Sequence, residues 1–268
     1  MARLRRLDAE LVRRGLARSR QHADELVTAG RVSVGGSTAT KSATQVDPGA
    51  AILVRADDTD PGYASRGGHK LAGALDVFEP RGLVVAEQDC LDAGASTGGF
   101  TDVLLRRGAA RVTAVDVGYG QLVWALQQDP RVTVLDRTNV RELTVEQLGY
   151  RPGLVVGDLS FISLKLVLPA LVGCAVPGAD LVLMVKPQFE VGRDRLGSGG
   201  VVREPELRAL AVREVAEAAA GLELGVAGIT ASPLPGPSGN VEYFLWLRSG
   251  AGPLDPEELD AAIAAGPQ

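Results

Sequence analysis

Hydrophobic positions fall into two regimes along the chain. Over residues 5–54 the apolar runs are short. Leu7, Leu11 and Val12 recur at helical spacing up to Gly15, and a second helix, Arg20–Thr28, is capped by Ser19 and closed by Gly30. Arg31–Val34, the Gly35-Gly36 turn and Ala51–Val54 then read as a small hairpin sheet. From residue 65 onward strand-like and helix-like runs alternate. A helix is predicted over Leu71–Phe78, a strand starting near Cys90, a helix over Thr101–Arg107 and a strand over Arg111–Asp116. Helical residues Val123–Leu126 and strands at Val132–Leu135 and Leu154–Asp158 follow, then a helix over 207–220 and a last strand over Asn240–Leu247. Such alternation predicts an α/β domain, doubly wound with helices on both faces, preceded by a small α+β domain. The polar, turn-rich run Asp57–Gly62 reads as the linker, which sets domains at 1–56 and 65–268 around residues 57–64. The tail from Ser249, rich in Pro, Ala and Gly, is expected to fray.

One apolar stretch is long enough for a membrane: Leu166–Val185 carries only Asp180 as a charge. Pro169, Gly173, Pro177 and Gly178 interrupt it, so it reads as a helix, a turn and a buried strand. The Arg-rich start lacks an apolar core for an export signal, and a cytoplasmic protein is expected. Two Cys and two His are too few for a metal cluster, and Cys90 and Cys174 read as buried thiols. The net charge of −5 argues against a nucleic-acid binder, but it hides an asymmetry. Residues 1–20 hold seven Arg against Asp8 and Glu10. Arg6, Arg13, Arg14, Arg18, Arg20, Arg31 and Lys41 are candidates for a phosphate-binding surface.

The candidate chemistry centres on Leu91-Asp-Ala-Gly-Ala-Ser-Thr-Gly-Gly-Phe-Thr101. A strand, a turn of small residues and a helix is how a doubly wound domain opens its cofactor crevice. Gly94, Gly98 and Gly99 let backbone approach a ligand closely, and Asp116, about 20 residues on, ends the next strand, where an acid can bind a ribose diol. The turn lacks the second glycine of a dinucleotide fingerprint, so S-adenosylmethionine (AdoMet) fits better than NAD. The letters also match a serine-hydrolase elbow, but His22 and His69 both lie upstream, where no elbow partner is expected. Asp92, Ser96, Thr97, Phe100, Asp136, Arg137 and Asp158 complete the candidate cofactor set.

Four polar groups stand at strand or helix ends of the same crevice: Lys70, Asp158, Lys186 and Glu242. Lysines there are rarely buried without a task. Lys186 is the candidate base, with Asp158 and Glu242 orienting it and Lys70 shaping the field. Arg66, beside paired glycines, is a further candidate for RNA contact. The Gly192–Gly200 segment, with Arg193 and Arg195, reads as a mobile loop.

Two resemblances sharpen these readings. Arg6-Leu-Asp8, Arg14-Gly-Leu-Ala17, Ser19-Arg20, Gly30-x-Val-x-Val-x-Gly36 and Lys41 resemble the small RNA-binding module named for ribosomal small-subunit protein four. Ser65-Arg-Gly-Gly-His-Lys70, Asp92–Thr101, Asp116-Val-Gly-Tyr-Gly120, Asp158-Leu-Ser-Phe-Ile-Ser163, Val185-Lys-Pro-Gln-Phe-Glu190 and Pro233–Leu245 resemble the TlyA family, related to the FtsJ-like ribose methyltransferases. The resemblance implies a Rossmann-like class I methyltransferase domain with a seven-stranded sheet. It further implies AdoMet-dependent 2′-O-methylation of cytidine in 16S and 23S rRNA on 30S and 50S ribosomal subunits. Neither a membrane nor a metal is required, and ribosomes become sensitive to capreomycin and viomycin. The family's Lys-Asp-Lys-Glu tetrad falls on Lys70, Asp158, Lys186 and Glu242. Asp60-Pro-Gly-Tyr-Ala64 departs from the basic, Trp-containing linker the family leads one to expect. The alternatives are a pore-forming haemolysin, a binding-only ribosome factor, a small-molecule methyltransferase and a pseudouridine synthase. The first needs a spanning or strongly amphipathic segment, and the second has no use for two lysines at strand ends. The third leaves the basic module unexplained, and the fourth has no use for the crevice from Gly94 to Asp116.

Overall fold

Every residue of Leu154–Gly157 and of 181–185 is buried, as in strands covered on both faces. In the computed structural model these strands lie at the centre of a seven-stranded sheet. The structure describes residues 4–17, 19–55, 61–236 and 238–267. The chain divides into two units, Met1–Gly62 and Tyr63–Gln268.

In the second unit the strands are β1 (Asp89–Ala93), β2 (Arg111–Val115), β3 (Val132–Leu135), β4 (Leu154–Gly157), β5 (Asp180–Val185), β6 (Leu224–Ala231) and β7 (Tyr243–Ser249). Their order across the sheet is β3-β2-β1-β4-β5-β7-β6. All neighbours run parallel except β7, which is antiparallel to both β5 and β6. The order reverses between β1 and β4, and this switch point opens a crevice beyond the strands' carboxyl ends.

The helices are α1 (Arg66–Phe78), α2 (Gly99–Arg106), α3 (Trp124–Gln127), α4 (Val145–Leu148), α5 (Leu164–Cys174), α6 (Pro187–Glu190), α7 (Pro205–Ala220) and α8 (Pro256–Ala265). Alternate residues of the strands feed two separate cores. Val112, Val182 and Trp246 pack with α1 and α2 through Leu71, Phe78 and Val103. Leu91, Leu183 and Leu245 pack with α5, α7 and α8 through Leu168, Val212 and Leu259. Cys90 and Cys174 are buried free thiols, and burial pushes the Cys90 thiol up to about 12.

Two expectations are corrected. Helix α1 begins at Arg66, five residues before the expected start, so Gly67, Gly68 and Lys70 are helical. Glycine is a poor helix former. Here its missing side chain is needed for packing: a Cβ on Gly68 would meet Tyr63 Cβ at 2.5 Å and the Gly99 carbonyl at 3.1 Å. Nor does the tail fray. Asp255 accepts a hydrogen bond from the Glu257 N–H at 2.8 Å, Pro256 opens α8, and Leu259 is buried in the core. The Asp-Pro-Glu-Glu start is a capping signal that composition alone obscures.

The first unit packs helices Leu7–Arg13 and Arg20–Thr28 against a three-stranded antiparallel sheet of Val32–Val34, Ser37–Thr38 and Ile52–Val54. Its core is Leu7, Leu11, Ala23, Leu26, Val27, Val32 and Val46. Arg5–Arg6 pairs with Gln45–Val46 as a short ladder that the helical pattern did not predict.

Candidate functional site

Sheet register assembles the tetrad. Val185 is paired with Tyr243, so Lys186 leaves β5 beside Glu242, which enters β7. Ala93 is paired with Gly157, which sets Asp158 next to Gly94. From α1, Lys70 Nζ donates to Glu242 Oε2 at 2.5 Å, with the two residues 6% and 1% exposed. Lys186, 8% exposed, places Nζ 2.5 Å from Asp158 Oδ1 and donates to Ser160 Oγ at 2.8 Å. Asp158 Oδ1 receives no directed hydrogen bond, so its contact with Lys186 is an ion pair in geometry. The four expected groups therefore converge as two buried or part-buried cation–carboxylate pairs. A lone buried charge is costly, and pairing is what makes such burial tolerable.

The glycine turn divides into a working face and a supporting face. Gly94 (φ +89°) and Gly98 (φ +97°) hold left-handed conformations that favour glycine. A Cβ on Gly94 would lie 2.7 Å from the Asp158 carbonyl oxygen. Gly94, Ser96 and Thr97 are accessible from the crevice, whereas Gly98 and Gly99 are buried. Asp92 and Phe100, expected at the cofactor, lie beneath the turn. Phe100 is 3% exposed and packs on Phe244 with ring centroids 5.9 Å apart. Asp92 has no exposed surface; its Oδ2 accepts from Thr101 Oγ1 at 2.6 Å and its Oδ1 is buried without a partner. Burial pushes the Asp92 carboxyl up to about 7, against the Thr101 hydrogen bond and with a contribution from Asp158. Both side chains brace the turn from below.

Asp116 ties the turn to the end of β2, accepting from the N–H groups of Ser96 (2.8 Å) and Gly118 (2.7 Å). A carboxylate retains further acceptor sites for a diol. Asp136 accepts from Gly120 N–H at 2.9 Å, and the Arg137 guanidinium lies over the Tyr119 ring at 4.3 Å. These groups close the loop that flanks the crevice beyond β2 and β3. Arg66 is half-buried at the start of α1.

Sequence reading missed several partners. Ser160 holds Lys186; Glu190 accepts from Ser163 and the start of α5; Asn240 accepts from Val202 N–H at 2.9 Å and donates to the Gly200 carbonyl. All lie in or beside the quoted motifs, but nothing in a string of letters says which polar residue faces which. The Gly192–Gly200 segment forms two short turns, Arg193–Arg195 and Ser198–Gly200, with Arg193 and Arg195 exposed. A cavity of about 520 Å³ lies between α7 and residues 251–254, at the opposite end of β6 and β7 from the tetrad. The chemistry is not there.

In the first unit two buried acids organise the arginines. Asp8 accepts from Arg6 and Arg20 (2.7 and 3.0 Å), and Glu10 accepts from Arg13 and Arg14 (2.6 and 2.7 Å). The Arg6 and Arg13 hydrogen bonds are the largest causes that hold Asp8 and Glu10 down at about 2. Arg14 is committed to the fold, since it also donates to the Ala50 and Pro48 carbonyls at 2.8 Å. Arg6, Arg13 and Arg20 keep roughly half of their side-chain surface open, as does Arg5, which the sequence reading passed over. Lys41 is exposed and Arg31 donates to the Arg55 carbonyl at 3.1 Å. Arg18 lies outside the described residues.

Comparison with known proteins agrees with both units. Residues 63–249 match the FtsJ-like methyltransferase family, and residues 5–52 match the S4 domain. The 16S/23S rRNA (cytidine-2'-O)-methyltransferase TlyA of Mycobacterium tuberculosis is 61% identical over 249 residues, covering 93% of this chain and 91% of that protein. Hemolysin A of Brachyspira hyodysenteriae is 35% identical over 240 residues, covering 89% and 98%. A solved structure from Streptococcus thermophilus that bears the hemolysin name superposes with a TM-score of 0.77 at 38% identity, covering 98% of this chain and 96% of that one. Among the described residues no helix is long and apolar enough to cross a membrane.

Proposed function

Because the chain belongs to the TlyA family of FtsJ-like methyltransferases, we propose that it methylates the ribose 2′-hydroxyl of cytidine in ribosomal RNA. One observation carries the reading: Lys186 Nζ is fixed between Asp158 and Ser160 at the carboxyl end of β5, inside the crevice. AdoMet, when bound, supplies an electrophilic methyl group. The fit of this chain to it rests on the partly exposed Gly94, Ser96 and Thr97 of the glycine turn, which Gly94 lets pack closely on the Asp158 backbone, and on the Asp116 carboxylate. Gly94, Ser96, Thr97, Asp116, Asp136 and Arg137 would hold it.

The remaining work falls to the tetrad. Lys186 Nζ is placed to take up the 2′-hydroxyl proton as the methyl group passes from sulfur to oxygen. Asp158 and Ser160 hold that Nζ in place. Lys70 and Glu242 form a second pair, beside Lys186 across the β5–β7 register, that adds no net charge. The exposed arginines of the S4 unit supply sequence-independent attraction to the phosphate backbone. The proposal extends to 16S and 23S rRNA in 30S and 50S subunits as substrates, a cytoplasmic location, and sensitisation of ribosomes to capreomycin and viomycin.

The test is transfer of labelled methyl from AdoMet to isolated 30S and 50S subunits, with reverse-transcription stops at low dNTP to locate 2′-O-methyl groups. Wild type labels rRNA, and Lys186→Ala lowers the rate by at least about 10²-fold, the scale of a general base. AdoMet binding without label on either subunit would refute the rRNA substrate and favour a binding-only ribosome factor.

A further inference from the structure

The six residues from Asp158 to Ser163 join β4 to α5 and carry both partners of Lys186. The one-turn helix α6 anchors this loop at each end. At the near end are the Lys186 contacts to Asp158 and Ser160. At the far end Glu190 Oε2 accepts from Ser163 Oγ at 2.5 Å, and Oε1 accepts from the Leu164 N–H at 2.7 Å. Lys186 occupies the position just before α6 and Glu190 ends it, so the two anchors stand one turn apart on the same short helix.

Between them the loop is strained. Phe161 holds φ at +65°, a conformation that bulky residues avoid, while its ring meets that of Phe189 on α6 at 5.2 Å. Strain of this kind persists only where the surroundings over-determine the backbone. Glu190 itself is 7% exposed. Burying a carboxylate is unfavourable, and an apolar side chain would fill the same space at less cost. The acid is tolerated because it satisfies a free N–H and the cap hydroxyl at the N-terminus of α5, where negative charge is favoured.

We propose that Glu190 is a positioning residue for methyl transfer: by pinning Ser163 and the first turn of α5, it holds Asp158 and Ser160 in register with Lys186. The inference rests on the methyl-transfer reading above. It places the effect of Glu190 on the chemical step: the Asp158 backbone, which abuts the Gly94 turn, is held at the end of β4 by its own N–H donating to the Ala93 carbonyl at 3.0 Å, whereas Glu190 holds only Ser163 and Leu164.

The experiment uses full-length Glu190→Ala, Glu190→Gln and Ser163→Ala, measuring kcat and KM on ribosomal subunits, AdoMet Kd by calorimetry, and folding by thermal melts. Glu190→Ala is expected to lower kcat at least about tenfold, the scale of a small misplacement of a catalytic group, while AdoMet Kd changes less than about twofold. Glu190→Gln can accept from Leu164 N–H and donate to Ser163 Oγ, so it restores most of kcat. An unchanged kcat in Glu190→Ala overturns the inference, as does a loss confined to AdoMet Kd or a Gln variant no better than Ala. Should Glu190→Ala not fold, Ser163→Ala decides: lowered kcat with unchanged Kd supports the anchor, and wild-type kcat refutes it. An inactive wild type refutes the methyl-transfer reading itself, and the inference falls with it.

Discussion

Asp92 is the residue whose chemistry departs furthest from its surroundings. Its carboxyl, ordinarily ionised well below pH 5, is raised to about 7 by complete burial. The folded state therefore binds this proton more tightly than the unfolded chain does. Stability contributed by the protonated form is present at low pH and lost as pH rises from about 4 to about 7, after which the curve is flat. Urea midpoints measured across that range should fall in wild type and fall less steeply in Asp92→Asn, which keeps the acceptor for Thr101 and cannot titrate. Equal slopes would show that Asp92 is already ionised. Burial also raises Glu190, so some slope persists in the variant. At this scale the sequence was informative where chemistry is rare: a Lys at the end of an apolar strand has few reasons to be there, and Lys186 is legible for that reason. Asp92 and Phe100 prove to be buried beneath the turn, which the letters could not show because a glycine-rich turn has an open face and a face toward the core.

Elements were legible where periodicity is strong. Val132–Leu135 and the helix Arg20–Thr28 agree with the pattern to the residue. The early start of α1 was hidden because paired glycines are poor helix formers, although Gly68 serves the close approach of α1 to α2. The C-terminal helix was hidden by composition. Gly94 is the element-level test of the crevice, since β1, β4 and the turn meet there. Gly94→Ala combines a φ of +89° with a Cβ 2.7 Å from the Asp158 carbonyl. The variant should lose about 1–3 kcal/mol of stability by chemical denaturation, typical of strain at a special φ/ψ. Its AdoMet affinity should fall as well; wild-type values for both would mean that the turn is looser than its geometry. Gly173, with nothing near its absent side chain, is the control position.

For the whole molecule, the proposed function divides attraction from chemistry between the two units. Net charge is −5, yet the S4 unit presents open arginines anchored by buried acids. Arg20→Ala should weaken binding to cognate and unrelated RNA alike and reduce the slope of log K against log salt by about 1, with kcat at saturating RNA unchanged. An unchanged slope would place Arg20 off the RNA path. The charge asymmetry was visible in the sequence, whereas the acid-centred clusters were not, since Asp8 and Glu10 appear in the string only as subtractions from positive charge.

The position of β7 has a consequence for synthesis. It follows β6 in sequence but lies inside the sheet, between β5 and β6, and it brings Glu242 with it. A nascent chain that has emerged only as far as β6 lacks the carboxylate for Lys70 and leaves β5 and β6 without their shared partner. Glu242 therefore reaches Lys70 only once β7 has inserted between β5 and β6, so the second cation–carboxylate pair is made by the same step that closes the sheet.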